Sequence, residues 1–239
     1  MSSLENKNVV VIGGTAGIGW EICRLAAEAG AKVWAAGRSQ QYIDRAKQQA
    51  PANVQFVSVD IHDVDALKKL FEQVGTIDHL IANATGANRT IAPFVEQSAE
   101  QFSEAFGKFW GYTNVVRVGF PFVSKSGSIT LTSGFPARKC PPGMSSLGCV
   151  GAAVENLCRA IAPEIAPVRI NVVAPGVIDT SMYDWMGADK AKNLGARTAQ
   201  LPINRPGTAE EVARAFMYLM QADYVTGTVM DVEGGMLLP

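Results

Sequence analysis

The chain has 239 residues, 21 basic against 22 acidic side chains, and 48% hydrophobic residues. That length suits one domain around one sheet, and the near-neutral charge offers no basic footprint for nucleic acid or an anionic membrane. No apolar run approaches the roughly 20 residues of a membrane span, and Met1 to Lys7 lack the apolar core of a signal peptide, so a cytoplasmic protein is expected. The four cysteines form no Cys-x-x-Cys pair and both histidines, His62 and His79, lie far from them in sequence. No metal site is expected, and Cys23 and Cys158 read as reduced core thiols.

Residues 9–12, Val-Val-Val-Ile, are a short β-branched run suited to a strand covered on both faces. The turn after it holds Gly13, Thr15, Ala16, Gly17, Ile18 and Gly19, and helical periodicity begins within it, over 17–29. Glycines at 13, 17 and 19 remove the Cβ atoms that would block a sharp turn or the approach of a diphosphate. The helix N-terminus beyond supplies free N–H groups and a positive dipole end. A second strand over 32–36 completes a βαβ unit.

Strands are then predicted over 54–58, 79–83, 128–132, 169–174 and 229–232, and helices over 40–49, 64–73, 99–120, 146–162 and 209–220. Pro163 stops or bends the fifth long helix by Ala162. Strict alternation with apolar strands predicts a single-domain α/β fold, a Rossmann-like doubly wound parallel sheet of about seven strands with helices on both faces. Residues 176–207 lack a clear core element and follow the C-terminal end of a parallel strand, where ligands bind, so they are expected to cover a substrate as a lid.

The spacing Gly-x-x-x-Gly-x-Gly resembles the short-chain dehydrogenase/reductase family, and further marks follow in register. Asp60-Ile61 resembles the pair that contacts adenine, and Ile81-Ala82-Asn83-Ala84 resembles the Asn-Ala-Gly segment, with Thr85 where glycine is usual. Pro175-Gly176 is followed by Ile178 and Thr180, placed like the residues that hold the nicotinamide carboxamide. Tyr224-Val225-Thr226-Gly227 and Glu233-Gly234-Gly235 match the C-terminal pattern, so the likeness spans essentially the whole chain. The strand over 32–36 ends without the acid that NAD binders use for the ribose. Arg38 and Ser39 stand there instead, suited to a 2′-phosphate, and NADP(H) is the expected cofactor.

Most members of that family use a tyrosine, a lysine one helical turn later, a serine and an asparagine. Alignment on Gly151-Ala152-Ala153-Val154-Glu155-Asn156-Leu157 implies that Leu147 stands at the tyrosine position and Gly151 at the lysine position. The usual spacing back from Leu147 puts Gly134 at the serine position, directly after Ser133, and Lys108 takes the asparagine position before Trp110-Gly111. No Tyr-x-x-x-Lys occurs in the sequence. An atypical site without that tetrad is therefore expected.

Two candidates for residual chemistry are Lys108 and Ser133. Lys108 should face the nicotinamide end with Tyr112 one turn on, either contacting the ribose and serving as acid or base, or filling the hole of the absent lysine. Ser133 either donates to a substrate oxygen or caps a turn. Arg138 and Lys139 read as cations for an anionic substrate or as a solvated loop pair, and Leu147 and Tyr183, with Asp184 and Trp185, as pocket lining.

The expected function is an atypical NADP(H)-dependent oxidoreductase reducing an activated C=N or C=C, or a carbonyl, of a small molecule. A non-redox enzyme and an NADP(H)-sensing pseudoenzyme remain the alternatives. The resemblance also implies a homodimer or homotetramer through the fourth and fifth long helices, where Gly148, Gly151, Ala152 and Ala153 permit close packing.

Overall fold

The computed structural model describes residues 3–85 and 90–239. In chain order it has β1 (Asn8–Ile12), α1 (Gly17–Glu28), β2 (Lys32–Gly37), α2 (Gln40–Lys47), β3 (Val54–Ser58), α3 (Val64–Val74), β4 (Ile77–Ala82), α4 (Ala99–Gly119) and β5 (Val123–Thr132). Then come α5 (Ser145–Ile161), β6 (Arg169–Pro175), β7 (Ile178–Asp179), α6 (Lys190–Thr198), β8 (Gly207–Thr208), α7 (Ala209–Gln221) and β9 (Val229–Val232). Seven strands make one parallel sheet in the order β3-β2-β1-β4-β5-β6-β9. The order reverses beside β1, and the crevice at such a switch point is where α/β sheets bind ligands.

Two apolar layers sandwich this sheet, and the alternation of β1 feeds both. Val10 and Ile12 join Leu67, Phe71, Val115 and Val154 of α3, α4 and α5. Val9 and Val11 join Ile22, Cys23, Val212 and Phe216 of α1 and α7. Each such side chain, wholly withdrawn from water, contributes about 1.5–3 kcal/mol. A strand buried on both faces must be apolar at every position, which is why residues 9–12 show no polar alternation.

Helix ends follow local chemistry. Ser98 and Gln101 form a capping box at α4, as do Thr208 and Glu211 at α7, satisfying N–H groups that have no partner within the helix. The other end of α7 is closed from the sheet. Buried Arg169, the first residue of β6, donates to Leu219 O at 2.8 Å and Met220 O at 2.9 Å.

The segment 176–207 carries more structure than its sequence suggests. It contains the first strand of the β7–β8 ribbon, a 3-10 stretch at Ser181–Asp189 and α6. Only Leu194 and Thr198 of α6 are buried, too few to register as an apolar stripe. The glycines of α5 also have an intramolecular use. A Cβ on Gly148 would lie 2.8 Å from Pro136 O, and one on Gly151 would lie 2.9 Å from the Ala137 Cβ, so the 3-10 turn Phe135–Ala137 occupies that face.

His79 lies buried in β4 with its Nδ1 2.8 Å from Ser128 Oγ. Burial pulls its pKa down to about 4, against 6.5 when exposed, while Asp78, and to a lesser degree Asp223, pull the other way and Arg169 and Lys7 add to the depression. The unfolded chain therefore binds the proton more readily, and stability present above pH 6.5 is lost as pH falls towards 4. Urea unfolding at pH 7 and pH 4.5 is expected to differ by about 2–3 kcal/mol more in the wild type than in His79→Gln. Equal pH dependence in the two proteins would rule the effect out.

Candidate active site

The glycine turn opens beyond β1 and is built around missing side chains. Gly13 has φ +85°, and a Cβ there would fall 2.5 Å from Ala84 N. A Cβ on Gly19 would fall 1.9 Å from Gly13 O, and one on Gly17, φ +53°, would fall 3.4 Å from the Thr180 side chain. Gly13 N and Gly14 N both donate to Ala36 O, which ties the turn to β2. Thr15 is buried against Gly37, whose Cβ would come within 2.5 Å of the Thr15 hydroxyl. The N-cap of α1 is Ala16, which supplies no side-chain hydrogen bond, and the first turn has no acidic residue. An uncapped helix start behind a cradle that a Cβ would fill fits a diphosphate. Ile18 packs at the margin of the α1–α7 layer.

The neighbouring strand ends supply the rest of this half. Exposed Arg38 places a guanidinium nitrogen 3.3 Å from Asp60 Oδ2. Asp60 Oδ1 accepts from the His62 N–H at 2.9 Å; this bond and Arg38 hold its carboxyl below the usual range. Ser39 Oγ caps α2 by accepting from Tyr42 N at 3.5 Å. Ile61 passes under α4 where Gly111 leaves room, since a Cβ there would lie 2.1 Å from its Cδ1. Asn83 binds β1 through its N–H to Ile12 O at 2.8 Å, and β5 by accepting from Thr132 Oγ1 at 3.0 Å. Ala84 underlies Gly13, and Thr85 is exposed.

Across the crevice, β6 ends at Pro175. Gly176 then lies against Glu233, where a Cβ would be 2.7 Å from the Glu233 Cα, so two distant segments of the chain meet through it. Ile178 is buried in β7, while Thr180 stands over Gly17. Tyr183 packs with Phe135, Val177, Leu194, Met144, Met236 and Leu237 in a small third apolar cluster, its ring 5.9 Å from the Arg197 guanidinium. The segment 176–207 thus rests on apolar contacts over the C-terminal edge of the sheet.

Lys108 and Ser133 are brought together. Lys108 Nζ donates to Ser133 O at 3.3 Å and lies 5.3 Å from the centre of the Tyr112 ring. Tyr112 is wholly buried, and burial drives its phenol pKa upward, so it stays neutral beneath the ammonium. Leu147 is half-buried on the first turn of α5, and Gly151 one turn on is closed by Ala137.

Ser133 and Arg138 both find partners within the protein. Ser133 Oγ donates to Glu155 Oε1 at 2.8 Å, so its proton is directed at a carboxylate rather than offered to a substrate oxygen. Arg138 pairs with Asp231 and with Glu155, and Lys139 Nζ donates to Leu238 O at 2.9 Å. Protein acceptors already match the Arg138 charge, because a guanidinium flanked by two carboxylates is drawn to them. Glu155 and Asp231 are the residues that sequence reasoning missed. Glu155 had a signal: it follows Leu147 and Gly151 at helical spacing, a carboxylate on the face that packs inward.

Comparison with known proteins gives consistent results. The family model described as Enoyl-(Acyl carrier protein) reductase matches residues 13–237. A short-chain dehydrogenase/reductase, ATR9 of Stachybotrys chlorohalonatus, is 31% identical over 254 residues, covering 100% of both chains. The solved structure of MalC Reductase/Diels-Alderase from Malbranchea aurantiaca superposes with a TM-score of 0.89 at 30% identity, over 99% of this chain and 98% of that one. An NADPH-bound short chain oxidoreductase from Pseudomonas aeruginosa PAO1, described as containing an atypical catalytic center, gives 0.89 at 28% identity over 97% and 98%.

Proposed function

The chain belongs to the short-chain dehydrogenase/reductase family, and from that premise we propose that it is an NADP(H)-dependent oxidoreductase with an atypical catalytic centre. The glycine turn and the α1 N-terminus hold the diphosphate, Arg38 meets the 2′-phosphate, and Asp60 and Ile61 flank the adenine. Asn83, Ala84, Thr85, Pro175, Gly176, Ile178 and Thr180 line the nicotinamide half. The NADPH-bound relative from Pseudomonas aeruginosa supports this choice of cofactor. Arg38→Ala is expected to lower the ratio of NADPH to NADH affinity about tenfold to a hundredfold, the worth of one charge-assisted hydrogen bond. Titrating both reduced cofactors by fluorescence checks it, and an unchanged ratio would remove Arg38 from phosphate recognition.

When bound, NADPH supplies a hydride. The observation that carries the catalytic reading is the Lys108 ammonium, held on Ser133 O at 3.3 Å at the end of β5. An ammonium at the reacting end stabilises negative charge developing on a substrate oxygen and can give it a proton. It repels a cation. The substrate class is therefore a small molecule with a carbonyl or a carbonyl-activated C=C, ahead of a cationic C=N. Leu147 and Tyr183 supply apolar walls, and the segment 176–207 excludes water.

Mixing the NADPH-loaded protein with a panel of enones, quinones, diketones and imines, while following the nicotinamide absorbance, tests the reading. Oxidation of NADPH by at least one carbonyl-bearing member is expected. Tight NADPH binding with no oxidation by any member would refute it. Such a result would favour catalysis without redox turnover, the reading supported by the relative described as a Reductase/Diels-Alderase.

A further inference from the structure

Ser133 is gripped from three sides where β5 leaves the sheet. Its N–H donates to Val173 O at 2.9 Å, its carbonyl accepts from Lys108 at 3.3 Å, and its hydroxyl donates to Glu155 Oε1 at 2.8 Å. The Glu155 side chain is only 3% exposed, and its other oxygen faces Arg138 Nε at 3.4 Å and Arg159 Nη2 at 3.7 Å. Arg138 is anchored in turn on Asp231 of β9. Two guanidinium groups and two carboxylates hold one another in place around a single hydroxyl proton.

A serine hydroxyl has one proton and two lone pairs, and a carboxylate only accepts. With its proton directed at Glu155, Ser133 can present only lone pairs to another group. Beside it, the Lys108 ammonium has no lone pair and only donates. The two polar groups at the strand end thus have opposite demands.

We propose that Glu155 is a positioning residue which fixes Ser133 as a hydrogen-bond acceptor, so that the pocket selects substrates carrying an N–H or O–H donor beside the reducible group. This rests on the reductase reading above and adds a substrate class to it: lactam-like or hydroxylated carbonyl compounds, whose oxygen meets Lys108 while the donor meets Ser133. Arg138 and Asp231 act through Glu155, holding its carboxylate against the hydroxyl. A partly buried acceptor facing a methylated substrate is left unpaired, and that penalty is the source of discrimination.

Isatin and N-methylisatin differ by one methyl at the donor nitrogen and present the same reducible ketone. The NADP⁺-loaded protein is expected to bind isatin about tenfold more tightly by calorimetry, with the same ratio appearing in KM rather than kcat under NADPH. In Glu155→Gln the amide can donate to Ser133, freeing its proton, so the preference is expected to vanish or invert while the NADPH affinity stays unchanged. Glu155→Asp should restore part of it. A binding preference without turnover of either compound would keep the donor selection, while the reductase reading stands or falls separately on the wider panel. Equal affinity for both compounds, failure of both to bind, or an equal loss of both in Glu155→Gln would overturn it.

Discussion

Gly19→Ala is expected to weaken NADPH binding at least a hundredfold while leaving the sheet folded. The added Cβ would stand 1.9 Å from Gly13 O, so the turn must move, and its N–H groups move with it. Few changes of one methyl have so little room to relax, because the atom met is backbone already tied to β2 through Gly13 N and Gly14 N. The layers that stabilise the domain lie on either side of the strands, beyond this turn. Gly195→Ala is the control, since nothing lies within 4 Å of a Cβ there. Fluorescence titration with NADPH, alongside circular dichroism, reads both effects. Affinity within threefold of wild type in Gly19→Ala would remove the turn from cofactor binding.

Lys108→Met is expected to lower kcat about 10²–10³-fold on a substrate found in the panel, with the NADPH affinity changed much less. That is the usual loss when one preorganised donor to a developing oxyanion is removed. Methionine keeps the length and apolar stem of lysine and packs on Tyr112 without strain, so the fold is preserved. Lys108→Arg should retain part of the rate, as its guanidinium still donates but reaches further. Single-turnover measurements separate chemistry from release. A kcat within fivefold of wild type in Lys108→Met would assign the amine a structural role and move the search for a proton donor elsewhere.

How far the sequence revealed the site depended on whether chemistry ran through local backbone or through distant side chains. The glycine turn was legible because a strand end, a sharp turn and a helix start are neighbours in the chain, and the turn needs a residue type with little freedom to vary. Asn83 and Gly176 were marked by resemblance as cofactor contacts, and their contacts within the fold could not be read from the sequence. Asn83 joins β1 to β5, and Gly176 lets Glu233 approach. Arg138 stayed between a solvated and a substrate-facing reading because its partners, Asp231 and Glu155, lie far from it in the chain. No local pattern announces a partner on another strand.

The sequence by itself determined the alternation of strands and helices, the two-sided burial of the sheet and the glycine turn that opens beyond β1. Those follow from periodicity and from steric limits acting within a few residues. Tertiary structure alone decided where the Ser133 proton points, that Gly151 is filled by Ala137, and that the Arg138 charge is matched internally. Each depends on directions in space between groups far apart in the chain. Hydrogen-bond polarity in a buried site is set by which partner arrives across the fold, and composition carries no record of it.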